Sequence, residues 1–377
     1  MHLYLHIPFC KQACHYCDFH FSTNLSAKSE MVAAICTEME LQQNYLPTPH
    51  LDSIYFGGGT PSLLSESELA KIFETIHRTF GVSPQAEITL EANPDDLTIE
   101  KLRLFKNYAN RLSIGIQSFY GPYLEFMNRA HSANEAEDCV KKAQDTGFEN
   151  ISIDLIYGVN LKENINANGI WQTDLDKATA LTVPHISSYC LTIEPKTVFG
   201  KWLKNKKIAN LDDELSAQQF EIMVKHLTKN GYQHYEISNF AKPNQYAQHN
   251  SSYWQQKPYL GVGPSAHSFN GTSRQYNVSN NALYIRSLNK KELDFEIEQL
   301  SPNDQANDYL LTGLRTIWGC RLATLNGILE TDFYEIQKQY IRSFIEKQWL
   351  TIDDGVMYLT PSGKLFADRI VSDLFVV

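Results

Sequence analysis

The 377-residue sequence predicts an α/β fold: six βα units in a parallel, barrel-type sheet, followed by a small helical, winged-helix-like module. Three observations carry this reading. Short apolar runs alternate with helix-like stretches through the first half of the chain, the pattern of a parallel sheet. Residues of unusual chemistry stand at the C-terminal ends of those runs, where parallel barrels keep their sites. From Ser301 onward the texture turns helical and then closes in a hairpin pattern. The length suits two domains, or one barrel-sized domain with an appended module, at roughly 150 residues per domain.

The strands read as Leu3 to Ile7, Ser53 to Phe56, Glu87 to Glu91, Arg111 to Ile116, Ile151 to Ile156 and His185 to Leu191. Between them, Ala27 to Gln43, Glu66 to Phe80 and Asn134 to Asp145 carry apolar residues at helical spacing. Ser65 is placed to cap the second of these helices, with Glu68 three positions on as its capping-box partner. Cys10, Cys14 and Cys17 follow the first strand, Gly57-Gly58-Gly59-Thr60-Pro61 follows the second, Glu91 ends the third, Gln117 ends the fourth, and Asp154 lies late in the fifth. One site collects them all. After Leu191 the alternation stops, and residues up to about 285 are rich in Tyr, Asn, Gln, Gly and His with one clear helix, Ser216 to Lys229. Residues 1–195 are expected to form the barrel, 196–290 an extension that completes or covers it, and 291–377 the C-terminal module. In that module Ser301-Pro302 supplies an N-cap with proline at the first helical position. Tyr309, Leu310, Gly313, Leu314 and Ile317 continue one face, and Tyr340, Ile341, Phe344, Ile345 and Leu350 lie on a second amphipathic helix. Leu350 to Thr360 reads as a hairpin turning at Asp353-Asp354-Gly355, and Pro361 opens a last helix running to about Phe375.

Composition narrows the function. Hydrophobic residues at 43% and charged residues at 20% describe a globular chain, not a disordered one. Lys+Arg 33 against Asp+Glu 43 leaves a net charge of -10, so nucleic acid is not an expected partner. No apolar run approaches the roughly 18 residues of a membrane span, and no signal-peptide pattern opens the chain, so a cytoplasmic protein without a membrane span is expected. Of seven cysteines, Cys36, Cys139, Cys190 and Cys320 are scattered and read as core residues. The odd count argues against a disulfide framework, and the grouping of Cys10, Cys14 and Cys17 argues for a metal or cluster site.

The C-x3-C-x2-C spacing on a loop can bring three thiolates to one centre, and no nearby fourth cysteine completes the set. A [4Fe–4S] cluster held this way leaves one iron open to an exogenous ligand. Zinc also fits the spacing, with His6, His15 or His20 as a fourth ligand. The glycine run lets backbone approach a ligand closely and offers amides and carbonyls to an amino or carboxylate group; its plain alternative is a flexible turn.

Taken together, Tyr4-Leu5-His6-Ile7-Pro8-Phe9-Cys10, Cys14, Tyr16-Cys17-Asp18-Phe19 and Gly57 to Ser62 resemble the radical S-adenosylmethionine (SAM) proteins. The branch resembled is the one that holds the oxygen-independent coproporphyrinogen III oxidases and the HemW-type haem chaperones. The likeness continues through Arg111 to Phe119, Arg129-Ala130-His131, Ile153 to Gly158 and Tyr235 to Phe240, nearly the whole chain. It implies a partial (β/α)6 TIM-type barrel as the radical SAM core, with Cys10, Cys14 and Cys17 as ligands of a [4Fe–4S] cluster. The open iron would chelate the amino and carboxylate groups of S-adenosylmethionine, with Tyr16 beside the cofactor. Gly58, Gly59 and Thr60 would meet its amino group, and Glu91 its ribose or methionyl portion. Tyr4, Gln117, Arg129 and Asp154 match positions along the cofactor sites, although Tyr4 could simply fill the barrel and Arg129 could pair internally with Asp154.

Within that branch two functions compete. The oxidases carry an N-terminal extension and a further cysteine two positions after the third ligand; here Met1 stands almost at the first strand and Phe19 holds that cysteine's place, both of which point to the chaperones. His249-Asn250-Ser251-Ser252-Tyr253-Trp254 matches the HNxxYW motif associated with haem binding in HemW proteins. A neutral imidazole at His249 could ligate haem iron, and Tyr253 and Trp254 offer flat faces to a porphyrin. The plain alternative is a polar loop with Asn250 capping and two aromatics packed under the barrel. His267, in Gly263 to Ser268, is a second candidate ligand. Two positions depart from the pattern: Asn160 replaces a proline and Ser265 a glycine. The implied partners are haem or a porphyrin, a haem-acceptor protein, and an electron donor if SAM is cleaved. Decarboxylation of coproporphyrinogen III is the alternative function.

Overall fold

The computed structural model describes residues 1–48, 50–161 and 166–377. All six expected strands are present and lie side by side in parallel: β1 (His2–Ile7), β2 (His50–Gly58), β3 (Gly81–Ala92), β4 (Arg111–Gln117), β5 (Asn150–Tyr157) and β6 (His185–Cys190). Helices α1 (Lys28–Leu41), α2 (Glu66–Thr79), α3 (Ile99–Lys106), α4 (Gly121–Phe126), α5 (Ala133–Asp145) and α6 (Ala167–Ala180) fill the crossovers. The Ser65–Glu68 capping box opens α2, and Ser132 with Glu135 forms a second one at α5.

Alternation along the strands decides what the sheet encloses. Leu3, Leu5 and Ile7 of β1, Ile54 and Phe56 of β2, and Leu112, Ile114 and Ile116 of β4 pack in one core with the helices. The positions between them are polar: His2, Tyr4 and His6; Ser53 and Tyr55; Glu87, Thr89 and Glu91; Arg111 and Ser113. Successive side chains point to opposite faces of a strand, so the helices cover an apolar face and the inner face is polar. The interior is a chamber lined by titratable groups, unlike the branched apolar layers that fill a closed barrel.

Beyond β6 the structure holds more than the one helix read from sequence. It adds α7 (Val198–Lys204), α8 (Asp213–Lys229), β7 (Gln233–Glu236), β8 (Asn239–Ala241), α9 (Gln248–Trp254), β9 (Tyr259–Val262), β10 (His267–Phe269), β11 (Ser273–Asn277), α10 (Asn281–Asn289) and β12 (Phe295–Gln299). These strands are three to five residues long and largely polar, too short to show a period-two apolar signal. β9 joins β1 in parallel, and β8 joins β6 antiparallel. The result is one open twelve-stranded sheet in the order β12-β11-β10-β9-β1-β2-β3-β4-β5-β6-β8-β7, not a closed barrel.

The C-terminal module starts at α11 (Pro302–Gly313), capped by Ser301 with Asp304. It continues through β13 (Cys320–Arg321), α12 (Leu322–Leu329), α13 (Phe333–Ile336), α14 (Lys338–Glu346), β14 (Leu350–Asp353) and β15 (Val356–Leu359). Helix, strand, helices and hairpin in that order make a winged-helix-like arrangement around a sheet ordered β13-β15-β14. The hairpin turns on Asp354 (φ 46°) and Gly355 (φ 71°), the paired left-handed conformations of a type I′ turn. The last helix is shorter than expected: a 3₁₀ turn at Gly363–Phe366 precedes α15 (Ala367–Asp373). Gly363 packs so closely that a Cβ there would collide with the Trp349 carbonyl oxygen, which fixes this turn against the hairpin. The module touches both ends of the open sheet. At β7 the Ile317 N–H donates to the Tyr235 carbonyl at 2.9 Å, and at β11 Arg274 pairs with Asp308 of α11. No helix among the described residues is long and apolar enough to cross a membrane.

Candidate metal-cluster site

Cys10, Cys14 and Cys17 are free thiols, half-buried on the loop between β1 and α1. Neighbouring loops hold that loop in place. The Cys10 N–H donates to the Ser22 carbonyl at 3.0 Å and the His15 N–H to the Met127 carbonyl at 3.0 Å. Asn128 Nδ2 donates to the Ala13 carbonyl at 2.8 Å, and Lys11 pairs with Asp95 at 2.9 Å. Burial pushes the Cys10 thiol up to about 11 and the Cys17 thiol up to about 12. Without a cation they stay protonated; a bound metal reverses that preference.

A hydrogen-bonded circuit links two of these cysteines. Thr60 Oγ1 donates to Cys10 Sγ at 3.3 Å, and Asn93 Nδ2 donates to Thr60 Oγ1 at 3.2 Å. Arg129 Nη2 donates to Asn93 Oδ1 and to the Gly115 carbonyl, both at 2.7 Å. Arg129 Nη1 closes the circuit on Cys14 Sγ at 3.3 Å and also reaches the Tyr16 hydroxyl at 3.4 Å. Arg129 is thereby committed to the cysteine loop and the ends of β3 and β4, not to an ion pair with Asp154. Its Nε is buried without a partner. Asn93 escaped the sequence reading; it stands two residues beyond Glu91, just past the strand end where the other candidates cluster.

The glycine run is a packing requirement. A Cβ on Gly57 would lie 2.9 Å from Tyr55, 3.0 Å from Tyr4 and 3.2 Å from the Glu91 carboxyl carbon. On Gly59 it would meet the Ile7 carbonyl oxygen at 2.6 Å, and Gly58 adopts φ 98°, which side chains disfavour. The flexible-turn alternative does not describe it. Tyr4 bonds His6 Nδ1 at 3.1 Å and lies beside Tyr55, with ring centroids 6.1 Å apart. Tyr55 donates to Glu91 Oε1 at 2.6 Å. Burial pushes the Glu91 carboxyl up to about 7, against the Tyr55 hydrogen bond, and the Asp154 carboxyl up to about 6, against the Arg111 charge. Gln117 holds a left-handed φ of 67° where β4 slips register against β5, a strained position of the kind that gathers at functional sites. Tyr189, also missed from sequence, ends β6 on the chamber side and is 42% exposed. Its place at the end of the sixth strand was the available signal.

The histidines a zinc site would draw on are engaged elsewhere. His6 Nε2 bonds the His20 carbonyl at 2.8 Å, His15 Nδ1 the Phe126 carbonyl at 2.8 Å, and His20 Nε2 the Asn281 side chain at 2.7 Å. Among the described residues no three His, Cys, Asp or Glu side chains are grouped closely enough to hold a metal ion, and this includes Cys10, Cys14 and Cys17, which share one loop without converging as a ligand set.

The segment from His249 to Trp254 is a helix, α9, and lies at the opposite end of the chamber. Glu87 accepts the Gln248 N–H at 3.0 Å and the His249 N–H at 2.9 Å, so a strand carboxylate caps this helix and Asn250 does not. His249 is 1% exposed. Its Nδ1 bonds Ser53 Oγ at 2.7 Å, its Nε2 bonds the Tyr253 hydroxyl at 2.7 Å, and its ring stacks on Tyr55 at 5.0 Å. Both ring nitrogens are spent, and burial drives the imidazole well below its ordinary pKa. Asn250, Tyr253 and Trp254 are half-buried, and Arg315 lies over the Trp254 ring at 5.7 Å. His267 is exposed, edge-on to Tyr276 at 4.7 Å.

Residues 4–166 match the radical SAM superfamily, and residues 300–366 match the HemN C-terminal domain. The chain is 32% identical to the haem chaperone HemW of Bacillus subtilis (strain 168), with 97% of each chain covered. It belongs to the HemW family. HemW of Synechocystis is 33% identical, with 99% of this chain and 95% of that protein covered. Coproporphyrinogen III oxidase (HemN) from Escherichia coli shares the fold, with a TM-score of 0.84 over 99% of this chain and 89% of that one at 19% identity. In this HemW-family chain the cysteine circuit and the α9 floor thus occupy opposite ends of a radical SAM core.

Proposed function

We propose that this protein is a haem chaperone that holds a [4Fe–4S] cluster on Cys10, Cys14 and Cys17, binds S-adenosylmethionine at that cluster, and passes haem to an acceptor protein. The observation that carries the cluster reading is the closed circuit Cys10–Thr60–Asn93–Arg129–Cys14, which orients two thiols and leaves a buried guanidinium N–H open. A cation with a free hydrogen-bond donor fits an anionic cofactor group. The three thiols suit a cluster with one open iron, and the glycine run keeps side chains from projecting where the backbone passes Tyr4, Tyr55 and Glu91. Membership of the HemW family, whose relatives are named haem chaperones, supports the haem reading.

When bound, the cluster supplies a chelation point for the amino acid end of S-adenosylmethionine and a route for one electron to its sulfonium. The chain supplies the rest. Arg129 neutralises charge at Cys14, Glu91 and Asp154 offer carboxylates to the cofactor's polar groups, and Tyr4, Tyr16 and Gln117 shape the surrounding wall. Haem is cargo. As α9 is placed, iron reaches the exposed His267 directly, whereas ligation by His249 requires that it give up Ser53 and Tyr253.

The test is anaerobic cluster reconstitution, followed by parallel assays for haem uptake and for coproporphyrinogen III conversion with S-adenosylmethionine and a reductant. Near-stoichiometric haem uptake without conversion is expected; conversion to protoporphyrinogen IX would show an oxidase instead. A Soret shift in His267→Ala with an unchanged spectrum in His249→Ala identifies the ligand, and the reverse pattern shows that α9 opens to bind.

A further inference from the structure

We infer that the lysine-rich face of α7 and the turn after it is the docking surface for an acidic one-electron carrier protein that reduces the cluster. The inference rests on the cluster reading above. Between positions 196 and 207 the sequence places Lys196, Lys201, Lys204, Lys206 and Lys207 with no Asp or Glu among them, in a chain of net charge -10. All five are exposed. The lysine salt bridges of the described residues lie elsewhere, at Lys11, Lys28, Lys141 and Lys338. A concentrated positive face on an acidic protein steers partners of opposite charge and turns like-charged ones away.

Position decides which partner. α7 packs directly on the cysteine loop: the Phe199 N–H donates to the His15 carbonyl at 3.0 Å, and the Trp202 ring meets the His15 ring at 4.6 Å. Tyr16 joins the same apolar cluster as Phe199 and Trp202. His15 and Tyr16 stand between Cys14 and Cys17, so a protein seated on the lysines is separated from the thiols by one layer of aromatic side chains. The face is far in the fold from α9, where the haem-associated segment lies. In the step served by this surface one electron leaves the carrier's reduced flavin and enters the cluster; the carrier is oxidised by one electron and no bond or proton changes hands.

The test uses the full chain with its cluster reconstituted, and a flavodoxin of net negative charge as the probe. The variant Lys201→Glu/Lys204→Glu/Lys207→Glu is compared with wild type by titration calorimetry and by anaerobic stopped-flow reduction, at low salt and at physiological salt. Wild type is expected to bind flavodoxin more weakly as salt rises, since the Debye length shrinks to about 8 Å at physiological ionic strength. The variant should lose on the order of tenfold in affinity and association rate at low salt. Reduction by dithionite, which needs no docking, should be equal in both proteins, as should iron content. Equal flavodoxin affinity and reduction rate in variant and wild type would overturn the proposal. So would binding of transfer RNA that the variant loses, with no flavodoxin binding by wild type. Failure of dithionite to reduce wild type faults the cluster reading instead, and the calorimetric arm still decides the surface.

Discussion

Asn93 shows how much one side chain can organise when it both donates and accepts. It joins the Thr60 hydroxyl that touches Cys10 to the guanidinium that touches Cys14. Asn93→Ala leaves Arg129 with its Gly115 carbonyl and strips Thr60 of its donor, a cost of about 1–3 kcal/mol for buried polar groups left unpaired. The variant is expected to fold, to unfold at lower urea, and to hold less iron after reconstitution, with a weakened spectral response to S-adenosylmethionine. Full iron content and an unaltered response would remove Asn93 from the site. A second residue-scale case concerns protons. Burial, helped by the Lys364 charge, drives the His234 imidazole down to about 3. Its unfolded value lies near 6.5. Between those values the unfolded chain binds a proton that the native chain refuses, so this histidine makes stability rise with pH and fall away as pH drops below 6.5. His2 and His131, each lowered to about 4 chiefly by burial, act in the same sense. The raised carboxyls of Glu91 and Asp154 act in the opposite one. His234→Gln should therefore show a smaller drop in urea midpoint between pH 7.5 and pH 5 than wild type does; an identical drop refutes the assignment.

At the scale of elements, α9 is a seven-residue helix, too short to stand by intrinsic propensity, and it persists because other elements hold it. Glu87 of β3 caps it, Ser53 of β2 bonds its histidine, and Tyr55 stacks on that ring. Glu87→Ala removes the cap and a partner of Arg111, which lies 3.9 Å away and is itself buried. The expected outcome is faster amide exchange at Gln248 and His249 with β1 to β6 unchanged; unchanged exchange would show that Ser53 and Tyr55 suffice. The same element marks the limit of what the sequence discloses. The parallel strands were legible because their outward positions are a regular apolar series, as at Leu112, Ile114 and Ile116, and the cysteines, glycines and Glu91 were legible because each stands at a strand end. β7 to β12 were not, because runs such as Gln233-His234-Tyr235-Glu236 have no apolar rhythm and take their structure from the edges they extend. His249 was legible as chemistry but not as placement: nothing in the local pattern tells that Ser53, nearly two hundred residues earlier, takes up its Nδ1. Asn93 and Tyr189 were within reach of the strand-end rule that found their neighbours.

Across the whole molecule, the C-terminal module matters because the sheet is open and the module meets both of its ends. At one end the chief polar contact is Arg315. Its Nε donates to Glu236 Oε1 at 3.3 Å, its Nη1 donates to Asp368 Oδ1 at 2.8 Å, and its guanidinium lies over the Trp254 ring. Glu236 is 1% exposed, while Asp368 is largely in water, so the two arms of this residue differ greatly in worth. Breaking a buried pair by removing one partner costs about 3–5 kcal/mol, because the other charge stays behind. Here the figure falls toward the lower end, since Arg315 itself is 21% exposed and Glu236 keeps hydrogen bonds from the Ser238 N–H and Asn239. Asp368→Ala, by contrast, removes a surface pair worth about 0–1 kcal/mol. Arg315→Ala is therefore expected to weaken the seam between module and sheet without unfolding either core. In calorimetry the single transition should broaden or split, and limited proteolysis should begin to cut near residues 290–300, while Asp368→Ala behaves as wild type. Because the same guanidinium lies over Trp254, a loosened seam must also free the end of α9, and quenching of the indole should increase in parallel. A split transition without any change at Trp254 would mean that the module and the floor of the chamber are held independently, and that Arg315 joins the sheet to the module alone.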